Sequence, residues 1–461
     1  MKRLLVRGGT VVTPDGARLA DVLVEDGRIA AVEASLPAPR GAVEEVDAGG
    51  LFVLPGGVDP HVHMALPVGG GLVSADDFDS GSAAALAGGT TTLIDFVTPA
   101  REQSLEDAFE ARRAEARASR CDVALHGSVT GWRPETAAEM ARLVEARLTR
   151  SFKIYLAYLE TIGIRDETAL QVMETAASLG ATVLAHCENG DAVSFLRRRL
   201  LQAGVTGPEG HPRSRPPEVE VEAVRRAILL AGVAGATLYV VHVSTAGGAA
   251  AIREARLRGL PVNGEVCPHH LLLDEREYLR PGFEGAAYVL SPPLRTAEHR
   301  AALWEALERG ELEAVSTDHC PFTTADRRHG LDDFTRIPGG GAGVEHRLTL
   351  LHTHGVLPGR ITLERFVELV AEAPARRFGL WPQKGRIAPG ADADLVLWDP
   401  KASGTISAAT HRHRTDESLY EGFATTGAPR AVYLRGRLAF DGRRILLPPG
   451  TGRFLRPGPA A

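Results

Sequence analysis

The 461-residue chain has four cysteines, Cys121, Cys187, Cys267 and Cys320, with no CxxC pair among them. Neither a disulfide framework nor a cysteine zinc knuckle fits that spacing, so a bound metal would have to be held by histidine and carboxylate. No apolar run reaches the ~18 residues of a membrane span, and MKRLLVRGGTVV offers too few apolar residues before Gly8 and Gly9 to act as a signal segment. Charge of one sign is also missing: Lys+Arg 52 against Asp+Glu 58 leaves a formal −6 with no long single-sign block. A nucleic-acid footprint is therefore not expected. No GxGxxG or P-loop opens any helical stretch, which removes the common nucleotide-binding folds. These absences predict a soluble cytoplasmic protein with no nucleic-acid and no membrane partner.

Histidine, glycine and proline are plentiful, at 16, 50 and 29 residues against four methionines, and 44% of the chain is hydrophobic. This length predicts more than one domain. Residues 1–53 read as short strands punctuated by Asp-Gly turns, and ADADLVLWDP (391–400) and PRAVYLRGRLAFDGRRI (429–445) repeat the style. Neither end has enough strands to close a core alone, so 1–53 and 380–461 are expected to pair into one composite β-sandwich domain.

Between them, 54–379 alternates differently. Eight apolar runs, at 51–63, 90–97, 122–129, 151–157, 181–187, 236–243, 260–267 and 313–320, are separated by stretches such as SLEDAFEARRAEARASR and VEVEAVRRAILLAGV with apolar residues at i, i+3 and i+4. Eight strand–helix units over about 300 residues predict an α/β fold, a (β/α)8 TIM barrel. YVLSPP (288–293) is a surplus strand-like piece in a long loop.

Function in such a barrel sits at the C-terminal ends of the strands. The first strand ends in Asp59-Pro60-His61-Val62-His63, the fourth carries Lys153, the fifth ends at His186, the sixth at His242 and the eighth at Asp318. His61 and His63, two apart on a strand, share a face. Each has an ordinary explanation by itself: a histidine after an apolar run is commonly a satisfied core residue, and Asp318 could cap a helix. Lys153 could be a salt-bridged amine. Four histidines, an aspartate and a lysine, all at converging strand ends, instead point together to a metal site. Nitrogen and carboxylate donors suit Zn2+, with Mn2+, Co2+ and Fe2+ as competitors, and the donor number exceeds what one tetrahedral ion uses, which favours two. An ammonium beside two cations would be repelled, so Lys153 must be deprotonated or modified.

GGVDPHVH (56–63), SFKIYLAY (151–158), AHCENGD (185–191), VVHVSTAGG (240–248), LSPPLR (290–295), STDHCPF (316–322) and IPGGGAGVEHR (337–347) resemble the cyclic amidohydrolases of the hydantoinase/dihydropyrimidinase family. KGRIAPGADADLVLWDP (384–400) is similar to that family's C-terminal signature. The resemblance implies a CO2-derived carbamate on Lys153 bridging two divalent metal ions, with His61, His63 and Asp318 on one and His186 and His242 on the other. It implies hydrolysis of a small-molecule cyclic ureide, a hydantoin or dihydropyrimidine, to the N-carbamoyl amino acid, in a homotetramer or homodimer. Asp318 would shuttle the proton, Tyr158 would donate to the developing oxyanion, and the backbone at Ser291 and Gly339 would read the imide edge of the ring. Gly339 departs from the family's usual Asn. Cys320 is expected to be a packed small residue, and Met64, Leu66 and Phe152 are expected near the mouth. Allantoinase and dihydroorotase are the alternatives, but the position where dihydroorotases carry a carboxylate-binding Arg is Ala65 here. A non-catalytic scaffold is disfavoured by the presence of all six ligand positions.

Overall fold

The computed structural model describes residues 3–39 and 41–459. Its strands, in chain order, fall into two sheets. β1 (Arg3–Thr13), β2 (Gly16–Glu25), β3 (Arg28–Glu33), β4 (Glu44–Asp47) and β5 (Phe52–Pro55) lie at the N-terminal end. β6 (Gly57–Val62), β7 (Thr90–Val97), β8 (Asp122–Ser128), β9 (Ser151–Tyr155), β10 (Thr182–His186), β11 (Thr237–Val240), β12 (Val262–Val266) and β13 (Ala314–Val315) form the middle. β14 (Leu395–Thr405), β15 (Ala424–Leu434) and β16 (Arg437–Phe440) follow.

The middle eight run in parallel in simple sequence order, β6 to β13. Val62 meets His319 in a parallel bridge, and the His63 N–H donates to the His319 carbonyl at 2.8 Å, bringing the two edges together. The expected (β/α)8 barrel is present, with helices such as Leu105–Glu115, Asp166–Ser178 and Pro217–Ala234 crossing between strands. Continuous apolar runs become strands buried on both faces, as parallel sheets require: all eight residues of β7 are buried.

The terminal strands join as predicted. β14 runs antiparallel to β5 with Leu395 opposite Pro55, giving one mixed sheet in the order β16, β15, β14, β5, β1, β2, β3, with β4 paired to β1. Leu4, Val6, Val22, Val53, Leu395 and Leu397 form its core. The apolar run 51–63, read as one strand, is divided at Gly56 into β5 of the mixed sheet and β6 of the barrel. A Cβ at Gly56 would come within 2.1 Å of Thr91 Oγ1, so only glycine allows the chain to cross between the two sheets so closely. YVLSPP is not a strand: a 3-10 turn ends at Tyr288, and the Val289 carbonyl accepts from Gly340 N–H at 2.9 Å.

Two barrel strands are shorter than their apolar runs. β11 ends at Val240 and β13 at Val315, because His242 (φ 40°) and Asp318 (φ 49°) lie in the left-handed region. A strand cannot continue through such residues. Thr317 Oγ1 donates to Asp59 Oδ2 at 2.6 Å, pinning the turned-out segment to the first barrel strand.

Candidate metal centre and active site

The barrel brings His61, His63, Lys153, His186, His242 and Asp318 to one end of its axis. His61 Nε2 lies 3.1 Å from Asp318 Oδ1, and His63 Nε2 lies 3.2 Å from the same oxygen. Lys153 Nζ is 2.9 Å from His61 Nε2. On the far side His186 Nδ1 and His242 Nε2 are 3.0 Å apart. The two pairs meet through the His61 and His242 rings, whose centroids are 5.5 Å apart.

Carboxylates behind the rings decide which nitrogens face inward. His61 Nδ1 is 2.5 Å from Glu265 Oε1, and His186 Nε2 is 2.7 Å from Glu188 Oε2. Each carboxylate takes the proton-bearing nitrogen, so His61 Nε2 and His186 Nδ1 present lone pairs to the centre, the tautomers that metal-ligating histidines adopt. Glu265 is steadied by the Tyr239 hydroxyl at 3.2 Å and Glu188 by the buried Arg215 guanidinium.

Burial disfavours charge on these rings. It pushes His63 down to about 3, and His186 and His242 also fall below the ordinary imidazole value. Burial and Lys153 push His61 down too, but the facing Asp318 and Glu265 outweigh them and leave it raised. Burial would raise Asp318, yet the neighbouring His61 and His63 rings hold its carboxyl well below the usual range. Lys153 is pushed down to about 8 by burial, its amine lying 4.2 Å from the centroid of the Phe96 ring. Inward-facing imidazole nitrogens, an ionised carboxylate and an amine whose charge burial disfavours, with no thiolate, fit a divalent cation of the zinc class.

Three further site residues gather beside this centre. Tyr158 sits half-buried with φ 57°, its ring 5.1 Å from that of His186, and its hydroxyl lies close enough to Ser291 to feel it electrostatically. Burial raises its pKa, keeping the hydroxyl a donor. Arg101 fixes the Tyr158 loop, donating to the carbonyls of Leu159 at 2.6 Å and Thr161 at 2.8 Å. Gly339 lies beside Ser291: a Cβ placed there would stand 3.9 Å from Ser291 Oγ. Among the described residues, four of the seven non-glycine residues with positive φ are Ala65, Tyr158, His242 and Asp318, all at this mouth. Such backbone costs about 1–3 kcal/mol per residue and clusters where function fixes geometry.

Two expectations need correction. Met64 and Phe152 do not line the mouth; both are fully buried in the barrel core, Met64 against Gly81 and Phe152 against Gly127, and only Leu66 remains half-buried. Cys320 is buried and its thiol is pushed up by that burial, consistent with a packing residue. Sequence reasoning passed over Glu265, Glu188 and Arg215. A signal for the first was available, since a carboxylate inside the buried run VNGEV must have a partner.

Comparison with known proteins places this geometry. A model of the amidohydrolase family matches residues 52–439. The D-hydantoinase of Geobacillus stearothermophilus is 41% identical over 454 residues, covering 98% of this chain and 96% of that one. The D-hydantoinase of Streptomyces coelicolor is 45% identical over 457 residues, covering 98% and 97%. The crystal structure of dihydropyrimidinase from Brevibacillus agri superposes with a TM-score of 0.98 at 40% identity, over 100% of this chain and 99% of that one. With the family match, the fold and near-complete coverage in agreement, the chain belongs to the hydantoinase/dihydropyrimidinase branch of the amidohydrolase family, whose members hydrolyse cyclic amides.

Proposed function

We propose that this chain opens 5-substituted hydantoins and 5,6-dihydropyrimidines to N-carbamoyl amino acids, using two divalent ions, zinc first among them. The observation that carries the reading is the convergence of His61, His63 and Asp318 with His186 and His242 around Lys153, with lone pairs turned inward by Glu265 and Glu188. His61, His63 and Asp318 would hold one ion and His186 and His242 the other. Lys153 would bridge them as a carbamate: its neutral amine adds to CO2, forming the N–C bond and releasing a proton. A pKa near 8 supplies that neutral amine at neutral pH. The ions supply Lewis acidity, acidifying a water and drawing charge from a ring carbonyl.

Asp318 accepts the proton of the attacking water and returns it to the ring nitrogen as the C–N bond breaks. Tyr158 donates its O–H to the carbonyl oxygen as negative charge develops there. The backbone at Ser291 and Gly339 reads the imide edge. On the resemblance alone we also propose a cytoplasmic homotetramer or homodimer.

Dihydroorotate is disfavoured because Ala65 offers no cation to its carboxylate, and an unpaired buried anion costs several kcal/mol. The deciding measurement is kcat/KM for dihydrouracil, a 5-alkyl hydantoin and dihydroorotate side by side. We expect dihydroorotate to lag by about a thousandfold, roughly 4 kcal/mol at 1.36 per tenfold. Equal turnover would overturn the assignment. It would direct attention to Arg215, whose guanidinium lies 5.4 Å from the centroid of the Tyr158 ring with Nε and Nη2 unpartnered.

A further inference from the structure

A second group of histidines stands apart from the catalytic centre. His346 follows the loop after the last barrel strand, and His411 and His413 belong to the excursion between β14 and β15. One ring nitrogen of each lies within 4.8 Å of the others. Neighbouring rings are nearly perpendicular, 87° for His346 with His413 and 89° for His411 with His413. The His413 side chain is fully buried.

Hydrogen bonds determine what each ring has left to offer. His411 Nε2 lies 2.9 Å from the Thr415 carbonyl, which can only accept, so Nε2 carries the proton and Nδ1 a lone pair. His413 Nδ1 lies 3.2 Å from the Asp76 carboxylate, which leaves a lone pair on Nε2. His411 Nδ1, His413 Nε2 and His346 Nε2 are all buried without a hydrogen-bond partner. Buried nitrogens of this kind are costly and need an explanation. With His346 in its Nδ1–H form, all three unpartnered nitrogens turn lone pairs on one another, an arrangement that a single cation satisfies. Burial and the neighbouring imidazoles also keep His346 and His413 neutral, the form that ligates.

We propose that His346, His411 and His413 form a third metal site that takes a borderline divalent transition ion of the Zn2+ class, with water completing its coordination. Zn–N bonds of about 2.0–2.1 Å require nitrogens about 3.3 Å apart, so small side-chain rotations close the site. Glu345 Oε2, 4.0 Å from His413 Nε2, adds negative charge nearby while accepting from Arg412. The ion staples the 411–415 excursion to the barrel. Asp76 extends that staple inward, since its carboxylate also holds His319 Nε2 at 3.1 Å and its carbonyl accepts from Ala65 N–H at 2.6 Å. The site does not depend on the proposed reaction.

The test is metal content after the chelator-stripped protein is equilibrated with Zn2+ and desalted. His411→Ala and His346→Gln should each hold one ion fewer per chain than the parent, with kcat at saturating zinc unchanged within about twofold. Zinc contents equal to the parent's in the folded variants would overturn the proposal. Should either variant fail to fold, modification of the parent by diethyl pyrocarbonate decides: Zn2+ should protect His346 and His411 in peptide maps, and unchanged labelling would sink the idea.

Discussion

Lys153 and Lys384 are both about 1% exposed, yet their surroundings drive them in opposite directions. Lys384 lies at the opposite, N-terminal end of the barrel, where its ammonium meets Asp122 at 2.5 Å, Asp394 at 2.8 Å and Asp392 at 3.0 Å. Burial would lower its pKa, but these carboxylates raise it well above the ordinary lysine value. Arg435 reaches the same Asp122, and together they tie β8 of the barrel to the flanks of β14 and β15 in the mixed sheet. Lys153 has no carboxylate in contact, only the His61 ring at 2.9 Å, and burial therefore lowers it to about 8. Burial pushes both amines down; the partners decide whether each stays a charged anchor or can give up its proton.

The wider surroundings follow the same division. Around Lys153, His63 Nδ1, His242 Nδ1, Glu188 Oε1 and two nitrogens of Arg215 are buried without partners. Among the described residues, no side-chain atom of Lys384, Asp122, Asp392, Asp394 or Arg435 is left in that state. The base of the barrel is saturated and serves stability. The mouth keeps donors unsatisfied and backbone strained, as a site awaiting ions and substrate would.

This contrast explains what could be read in advance. Strand ends converge in any parallel barrel, so His61, His63, Lys153, His186, His242 and Asp318 could be grouped from their positions along the chain. The carboxylates that orient them required knowing which side chain backs which ring: Glu265 comes from a different strand than His61. The cluster at 346, 411 and 413 was beyond sequence reasoning, because a long excursion with no periodic signal brings two of its members back to the barrel. Lys384 was noticed only within a family-like motif, and its role emerged from three aspartates distant in chain or hidden in a turn.

The sharpest way to break the comparison is a matched pair, Lys153→Met and Lys384→Met. Lys153→Met should lose about 10⁴-fold or more in kcat/KM, roughly 5 kcal/mol of transition-state stabilisation. Its metal-free urea midpoint should stay close to the parent's, since no ion pair is removed. Lys153→Ala, which leaves room, should regain part of its rate with added short carboxylic acids. Lys384→Met should do the reverse, costing about 3–5 kcal/mol of stability by stranding buried carboxylates, while folded protein at 25 °C keeps most of its kcat. Urea titration and steady-state kinetics on both proteins suffice. Substantial activity in Lys153→Met would remove the bridging role.

A smaller effect is expected where the mouth supplies one donor among several. Tyr158→Phe should reduce kcat by on the order of 10²–10³ while the bound metal stays at the parent level, because one hydrogen bond to the oxyanion is lost and no ligand is touched. If metal content fell together with rate, Tyr158 would be acting through His186, whose ring lies 5.1 Å away, rather than on substrate.

The smallest effect concerns Gly339, where the family resemblance predicts Asn. Its neighbours are glycines for steric reasons: a Cβ at Gly340, whose φ is 142°, would lie 2.3 Å from the Cys320 carbonyl, and one at Gly341 would lie 2.5 Å from Leu419. Gly339 has neither constraint, since a Cβ there meets nothing closer than 3.8 Å and its φ is not positive. The loop is already rigid, because buried Arg327 donates to the carbonyls of Pro338 and Gly340. Gly339→Asn should therefore fold normally and change kcat/KM by no more than a few-fold, with stability equal to the parent's or up to about 1 kcal/mol higher as the unfolded chain loses freedom. Thermal unfolding and kinetics on dihydrouracil and a 5-alkyl hydantoin check this. A loss of tenfold or more on both substrates would show that the bare backbone at 339 is itself required at the mouth.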